Sequence, residues 1–105
     1  MDLSSFKPQD ENEILKEFKG RMHIFHNAED DSLKAILNIS YEVIKNECGN
    51  FDIQKEAIGK ELVFERSRYV YNEQLQFFNR NYSTLITEFG VLNQIYRCEE
   101  GTDEI

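Results

Sequence analysis

The chain has 105 residues and a mass of 12.5 kDa, which is the size of one domain. It carries twelve lysines and arginines against twenty aspartates and glutamates, so its net charge is −8 and its surface repels phosphate backbones. This charge disfavours simple binding to DNA. A hydrophobic content of 40%, with eight Phe and five Tyr, is too high for a disordered chain, so we expect a folded acidic domain.

The scarcity of helix breakers indicates the fold class. One proline and five glycines favour an all-α protein over a sandwich of short strands. We predict a small helical bundle with two long helices, two short helices and an extended C-terminal arm. Residues 1–9 are expected to be a flexible lead-in, residues 10–90 the helical domain, and residues 91–105 the arm with its acidic tail.

Cysteine use and hydropathy predict where the chain resides. Its two cysteines, Cys48 and Cys98, lie too far apart in sequence to resemble the disulfide framework of a small secreted domain. The first residues lack a basic region followed by an apolar run, and no apolar stretch approaches the ~18 residues of a membrane span. We expect reduced thiols, a cytoplasmic location and no contact with membranes.

The first helix is predicted from about Glu11 to Lys19. Asp10 stands three residues before Glu13, which is the spacing of a capping box, and apolar residues follow at helical intervals. Gly20 is expected to end this helix. Residues 21–26 are expected to form a connector that packs on the core.

The strongest helical signal covers Ala28 to Cys48. Asn27 is a suitable N-cap, acidic residues fill the first turn, and Gly49 is expected to form a left-handed C-cap. One apolar stripe, interrupted by a single serine, follows the helical period. Its members are Leu33, Ile36, Leu37, Ser40, Tyr41, Ile44 and Cys48.

A second long helix is predicted from Lys55 to Asn79, with Gly59 as its only weak point. Its apolar residues surround much of its circumference, which is typical of a helix buried among neighbours of its own or of another subunit. They are Ile58, Leu62, Val63, Phe64, Tyr69, Val70, Tyr71, Leu75, Phe77 and Phe78.

The last predicted helix is short, from about Tyr82 to Phe89, and Gly90 is expected to end it. The residues after Gly90 include apolar side chains that so small a domain cannot easily bury, followed by charges that keep them soluble. We interpret this segment as an arm that docks on a partner rather than as a frayed tail. The candidate docking residues are Val91, Leu92, Ile95, Tyr96 and Arg97.

Few residues suggest catalysis or metal binding. His23 and His26 are three residues apart, but a zinc site needs two further ligands, and the nearby Asp30 and Asp31 are poor candidates. Cys48 lies on the apolar stripe, where cysteine behaves as a small buried hydrophobe. The sequence contains no phosphate-binding loop and no recognisable catalytic motif. We predict no enzyme, no metal and no cofactor; an enzyme would need His23, His26 or Cys48 in its site.

Four residues of the second long helix have the composition of a protein interface, in which planar guanidinium and rigid aromatic groups bury area at low entropic cost. The same residues would suit an ordinary helix with solvated arginines and core tyrosines, and both interpretations stay open. The four candidate contacts to another subunit or partner are Arg66, Arg68, Tyr69 and Tyr71.

Together these patterns resemble the head-tail connector, or head-completion, proteins of long-tailed double-stranded DNA bacteriophages and their prophages. The likeness spans about Glu13 to Asn93, and its motifs are packing and capping signals rather than catalytic ones. It includes a Gly-Asn-Phe-Asp turn and an Arg-x-Arg-Tyr-x-Tyr-Asn core in the second long helix. The start of the first long helix contributes His26, Asp30, Asp31, Leu33, Ile36 and Leu37.

The resemblance implies an adaptor that forms a ring, roughly twelve-fold, beneath the portal protein of the filled capsid. It implies that the C-terminal arm reaches the portal, that another face receives the stopper or tail-completion protein, and that the protein resides at the head-tail interface of the virion after assembly in the host cytoplasm. DNA would pass through the ring without specific binding, and an acidic channel suits this because attractive phosphate contacts would hold the DNA.

The same net charge fits a second class of protein. A small acidic regulator, acting as a DNA mimic, would occupy the basic groove of a nucleic-acid-binding partner. It would be a stable monomer or dimer that competes with DNA. A connector would instead form its ring on the portal, since acidic copies repel one another in free solution and docking must offset that repulsion.

Overall fold

The computed structural model describes residues 8–102, with side chains from residue 10 to residue 95. Within this range every regular element is helical, so the all-α prediction is confirmed. The predicted lead-in lies mostly outside the described residues. The elements are α1 (Pro8–Met22), α2 (Asp30–Cys48), α3 (Ala57–Tyr71), a short 3-10 turn (Leu75–Phe77) and α4 (Phe78–Thr102).

The core lies between α2 and α3, with α1 packed on α2 and α4 packed on both. The end of α3 returns to the start of α2, where the Tyr71 hydroxyl donates a hydrogen bond to Glu29 at 2.8 Å. Three phenylalanines, Phe18, Phe64 and Phe78, are the largest fully buried side chains of the described chain. Burial of each such side chain contributes about 1.5–3 kcal/mol.

The apolar stripe of α2 faces the core as predicted: Ile36 is half-buried and the other six members are buried. The N-terminus differs from the prediction, because the Asn27 side-chain oxygen accepts a hydrogen bond from Lys19 at 2.9 Å and caps no helix. Gly49 has a positive φ of 94°, which favours glycine, but its ψ of 164° is not that of a left-handed helical cap.

The first helix is longer than predicted at both ends. Pro8 starts it, since proline has no N–H to satisfy at a first helical position. Gly20 does not end it. The end is a Schellman motif, in which Ile24 N–H donates to the Lys19 carbonyl at 2.9 Å and His23 N–H donates to the Gly20 carbonyl at 3.3 Å. His23 takes the positive φ, 60°, that glycine usually supplies, so the predicted boundary was wrong.

The predicted helix from Lys55 to Asn79 is interrupted, and that prediction was wrong. α3 ends in a second Schellman motif, with Gln74 N–H donating to the Tyr69 carbonyl at 2.8 Å and Glu73 N–H donating to the Val70 carbonyl at 3.0 Å. Glu73 has a φ of 58°, again at a position usually taken by glycine, so no residue type marked the break.

The break changes which apolar residues are covered. Of the ten apolar residues predicted around the long helix, Leu62, Val63, Phe64 and Phe78 are buried, the three aromatic or β-branched residues at the end of α3 are half-buried, and the remaining three are exposed. Leu75 and Phe77 lie in the 3-10 turn that follows the break, whereas Ile58 lies before it. The exposed residues are Ile58, Leu75 and Phe77.

The helix α4 replaces both the predicted short helix and the predicted extended arm. Gly90 lies within it without a positive φ, and a Cβ at Gly90 would lie 3.5 Å from Cys48 Cα. Gly90 therefore packs against α2 and does not end the helix, and the prediction of an extended backbone after Gly90 was wrong up to Thr102. None of the helices between Pro8 and Thr102 combines the length and apolar character of a membrane span.

Candidate functional site

A buried carboxylate, Glu65, joins three helices. It is 7% exposed and accepts hydrogen bonds from Arg21 of α1 at 3.1 Å, from Arg68 of α3 at 2.6 Å and from the Tyr82 hydroxyl of α4 at 2.9 Å. Burial raises the pKa of Glu65, but these donors together outweigh burial and lower it. Sequence analysis missed this cluster; its only local signal is the i, i+3 spacing of Glu65 and Arg68.

Arg68 and Tyr69, two of the four candidate interface residues, belong to the Glu65 cluster. The hydrogen bond to Glu65 raises the pKa of Arg68, whose guanidinium lies 4.9 Å from the centre of the Tyr69 ring. Tyr69 packs edge-on against Phe78 and Tyr82, with ring centres 5.8 and 5.9 Å away. Tyr69 therefore packs α3 against α4, while the hydrogen bond and ring contact of Arg68 lie within α3.

Arg66 and Tyr71, the other two candidates, lie apart from that cluster. Arg66 donates to the buried Ser40 hydroxyl at 3.1 Å, and burial lowers its pKa. The Tyr71 hydroxyl donates to Glu29, and this bond raises the pKa of Tyr71. Each of the four candidates is half-buried. Their contacts differ, because Arg66 reaches α2, Tyr69 packs on α4, Tyr71 bonds Glu29 before α2 and Arg68 bonds Glu65 within α3, so the four do not share one contact surface. Their role between subunits stays a prediction.

The candidate docking residues after Gly90 lie on the end of α4, which we call distal α4 (residues 91–102). Val91, Leu92 and Ile95 are 53%, 50% and 48% exposed. The Asn93 amide donates to the carbonyls of Cys48 and Asn50 at 2.9 and 3.0 Å, which fixes the start of distal α4 on the end of α2. An apolar surface after Gly90 is therefore present, on a helix rather than on an extended arm. The side chains of Tyr96 and Arg97 lie outside the described residues.

Cys48 is fully buried, and its thiol donates to the Ile86 carbonyl at 3.4 Å. This burial confirms its interpretation as a small buried hydrophobe and raises the pKa of Cys48 to about 11. His23 and His26 are both exposed. Among the side chains of residues 10–95, no three His, Cys, Asp or Glu lie close enough together to hold a metal ion. Cys98 lies outside that range.

An apolar groove that sequence analysis missed lies between α1 and the segment before α2. It is a cleft of about 470 Å³ that we call the Phe25 groove. The Schellman motif buries Ile24, but the next residue, Phe25, is 85% exposed, so the predicted connector does not pack fully on the core. The groove is lined by Asn12, Leu15, Lys16, Lys19, Gly20, Ile24, Phe25, Asn27 and Asp30.

A second exposed surface was also missed, at the turn between α3 and α4. Leu75 and Phe77 are exposed there, and the exposed Glu73 precedes them. We call these three residues the Glu73 ridge. The ridge follows the end of α3 at Tyr71 and lies in the turn that leads into α4.

Comparisons of this chain with protein-family models, with curated proteins and with solved structures found no match. The function is therefore argued from the exposed surfaces, from the charge and from the residues that resemble the connector family. Three surfaces stand out in the described chain: distal α4, the Phe25 groove and the Glu73 ridge.

Proposed function

We propose that this chain is a head-tail connector, a structural adaptor that forms a ring under the portal, extends the DNA channel and provides the docking site for the stopper protein. The observation that carries the proposal is the exposed apolar surface of distal α4 in a chain of net charge −8. The motifs that resemble connector proteins support it, since they lie in α2, in the turn after it and in α3.

Distal α4 is suited to docking on a partner. Val91, Leu92 and Ile95 each leave about half of the side chain in water, which forfeits part of the roughly 1.5–3 kcal/mol that burial of such a residue contributes. Because they lie on little more than one helical turn, a groove on a partner can cover all three at once. A preformed helix also loses less conformational entropy on docking than an extended arm. The proposed partner is the portal protein.

The net charge supports the proposed passage of DNA. A ring of acidic copies around a duplex repels phosphates, so DNA slides through without the contacts that would hold it. The same repulsion acts between copies, and we therefore propose that the portal templates the ring while the free chain is monomeric at low concentration.

The proposal is tested with DNA-filled heads that contain the portal but lack this protein. Purified chain is added and the portal vertex is imaged by electron microscopy; we expect a ring of added density. Leu92→Asp should abolish the ring because it places a charge in the apolar contact. The matched control is Ser83→Asp, which adds the same charge at an exposed position earlier in α4 and should leave the ring intact.

Deletion of residues 91–105 gives a second test. We expect the truncated chain to keep its helical body, by circular dichroism, and to fail to enter heads. A truncated chain that still completes infectious heads would contradict a docking role for distal α4. If the wild-type chain adds no density and stays a small monodisperse species, the connector proposal is wrong, and competition with DNA for basic partners becomes the next measurement.

A further inference from the structure

Two exposed surfaces of the described chain match each other in chemistry, and one of them is the Phe25 groove. Leu15, Ile24 and Phe25 form its apolar wall, and Lys16 lies beside them. Among the side chains of residues 10–95, Lys16 has neither a hydrogen-bonding partner nor an ion pair, and it is exposed. Within that range nothing holds its ammonium, so it can pair with a carboxylate of another chain.

The Glu73 ridge presents the complementary groups. Leu75 and Phe77 are 39% and 43% exposed, and the Glu73 carboxylate, like Lys16, is unpaired within the described side chains. Glycine would satisfy the positive φ at Glu73 with less strain than glutamate does. Within the described side chains the Glu73 carboxylate has no partner, which leaves it for a contact with another chain.

The two surfaces lie at the same end of the bundle. Lys19 pairs with Asp30 at 2.7 Å and fixes the groove beside the first turn of α2, while the bond from Tyr71 to Glu29 brings the end of α3 to the same turn. The groove is built from α1 and the segment before α2, and the ridge from the segment after α3. Two different surfaces at one level allow copies to stand side by side in a heterologous contact, which is the contact that closes a ring.

We propose that the Glu73 ridge of one copy docks in the Phe25 groove of a second copy. Leu75 and Phe77 then cover the apolar wall of the groove, and the Glu73 carboxylate pairs with the Lys16 ammonium. Charge favours a second copy as the occupant, because a free lysine beside an apolar wall suits a partner surface that is both apolar and acidic. The apolar contact supplies affinity, and the ion pair selects which surfaces meet. This inference rests on the proposed function, since it names the contact between neighbours in the ring.

The test combines charge exchange with cross-linking of the full-length chain. Lys16→Glu and Glu73→Lys each place like charges in the contact, and the double variant Lys16→Glu/Glu73→Lys restores an opposite pair. The matched control is Lys55→Glu, which makes the same change in net charge at an exposed lysine that does not line the Phe25 groove. Association between copies is measured by sedimentation over a range of concentrations.

Isotope-labelled and unlabelled wild-type copies are then mixed, coupled with a carbodiimide and examined by mass spectrometry for a link from Lys16 to Glu73.

We expect the Lys16–Glu73 link between labelled and unlabelled copies. Each single charge variant should weaken association at least about tenfold, the double variant should restore it, and Lys55→Glu should have a much smaller effect. Phe25→Ser should weaken association without changing the unfolding transition, because Phe25 is already in solvent. Absence of the link, or equal effects of Lys16→Glu and Lys55→Glu, would overturn this contact. If a ring still forms at the portal vertex in that case, the connector function remains supported. If the link forms without a ring at the vertex, the connector function is contradicted and the contact between copies is not.

Discussion

The two parts of α4 differ in almost everything except their helical backbone. Up to Gly90 the helix belongs to the body of the protein: Phe78 and Phe89 are buried, Tyr82 reaches Glu65, and Gly90 lies against Cys48. After Gly90 the described apolar side chains, Val91, Leu92 and Ile95, are about half exposed, although the helix continues to Thr102. The difference shows that helix formation, which follows local sequence, and burial, which depends on neighbours, are separate properties. Stability should therefore depend on the first part, and assembly on the second.

The largest expected effect is the difference in free energy of unfolding between a substitution in the core and one on distal α4. Equal losses would contradict the comparison. Phe64 is fully buried and packs against Phe18 at 5.6 Å between ring centres. We expect Phe64→Ala to lower the free energy of unfolding by about 3–5 kcal/mol, because it removes apolar contact and leaves a cavity. Leu92→Ala on distal α4 should change it by less than about 0.5 kcal/mol. Urea denaturation of both variants measures the difference, and similar losses would show that distal α4 is part of the core.

The Glu65 cluster ties the first part of α4 to α1 and α3, so its removal should weaken the body. We expect Glu65→Gln to cost about 1.5–3 kcal/mol at neutral pH, since charged hydrogen bonds from Arg21 and Arg68 are lost. The pKa of Glu65 is lower in the folded chain than its ordinary value of 4.5, so this contribution is complete above pH 4.5 and is lost as pH falls through the folded-state pKa. Denaturation curves at several pH values should show wild type and variant converging in acid. A difference that stays constant in acid would contradict this assignment.

Two glycines inside helices sharpen the comparison, because only one of them is crowded. A Cβ at Gly59 would lie 2.4 Å from the Phe51 ring, so we expect Gly59→Ala to destabilise the chain by about 1–3 kcal/mol. Gly90→Ala meets Cys48 only at ordinary contact distance, and alanine favours helix by about 0.5–1 kcal/mol, so stability should hold or rise. Thermal unfolding measures both. A large loss at Gly90 would show that α4 approaches Cys48 too closely to admit a methyl group.

The smallest expected effect concerns the helix ends. His23 has a φ of 60° at the end of α1, a conformation that costs little for glycine and more for other residues. We expect His23→Gly to raise the free energy of unfolding by about 0.5–1 kcal/mol. His23→Ala serves as the control, since it removes the imidazole but keeps the strain and should give no gain. Equal gains from both variants would assign the effect to the imidazole instead.

How far the sequence predicts this fold depends on whether the determining contact is local. The stripe from Leu33 to Cys48 was predicted correctly, because the spacing of apolar residues along a helix indicates which of its faces is buried. The break at Glu73 and the end of α1 at His23 were not, since both use a left-handed conformation without glycine. Gly90 misled for a different reason: it lies inside α4 and packs against Cys48, which lies 42 residues earlier in the chain, so a glycine there does not mark a helix end.

The candidate site divides in the same way. Exposed apolar residues after Gly90 were predicted from composition, which does not depend on whether the backbone is helical or extended. The Glu65 cluster, the Phe25 groove and the Glu73 ridge were missed. Each joins residues that are distant in sequence or depends on a turn that no residue type marks, so only the three-dimensional arrangement reveals them.

Because Gly90 packs against Cys48, the rate at which the Cys48 thiol is labelled would report how often α4 separates from α2. A reagent can reach the Cys48 sulfur only when α4 separates from α2, because the sulfur is covered on that side by the Ile86 carbonyl and by Gly90. In a Cys98→Ser background, the rate of thiol labelling would then count these separations directly. Partners that clamp distal α4 would slow the labelling, and those that bind elsewhere would leave it unchanged.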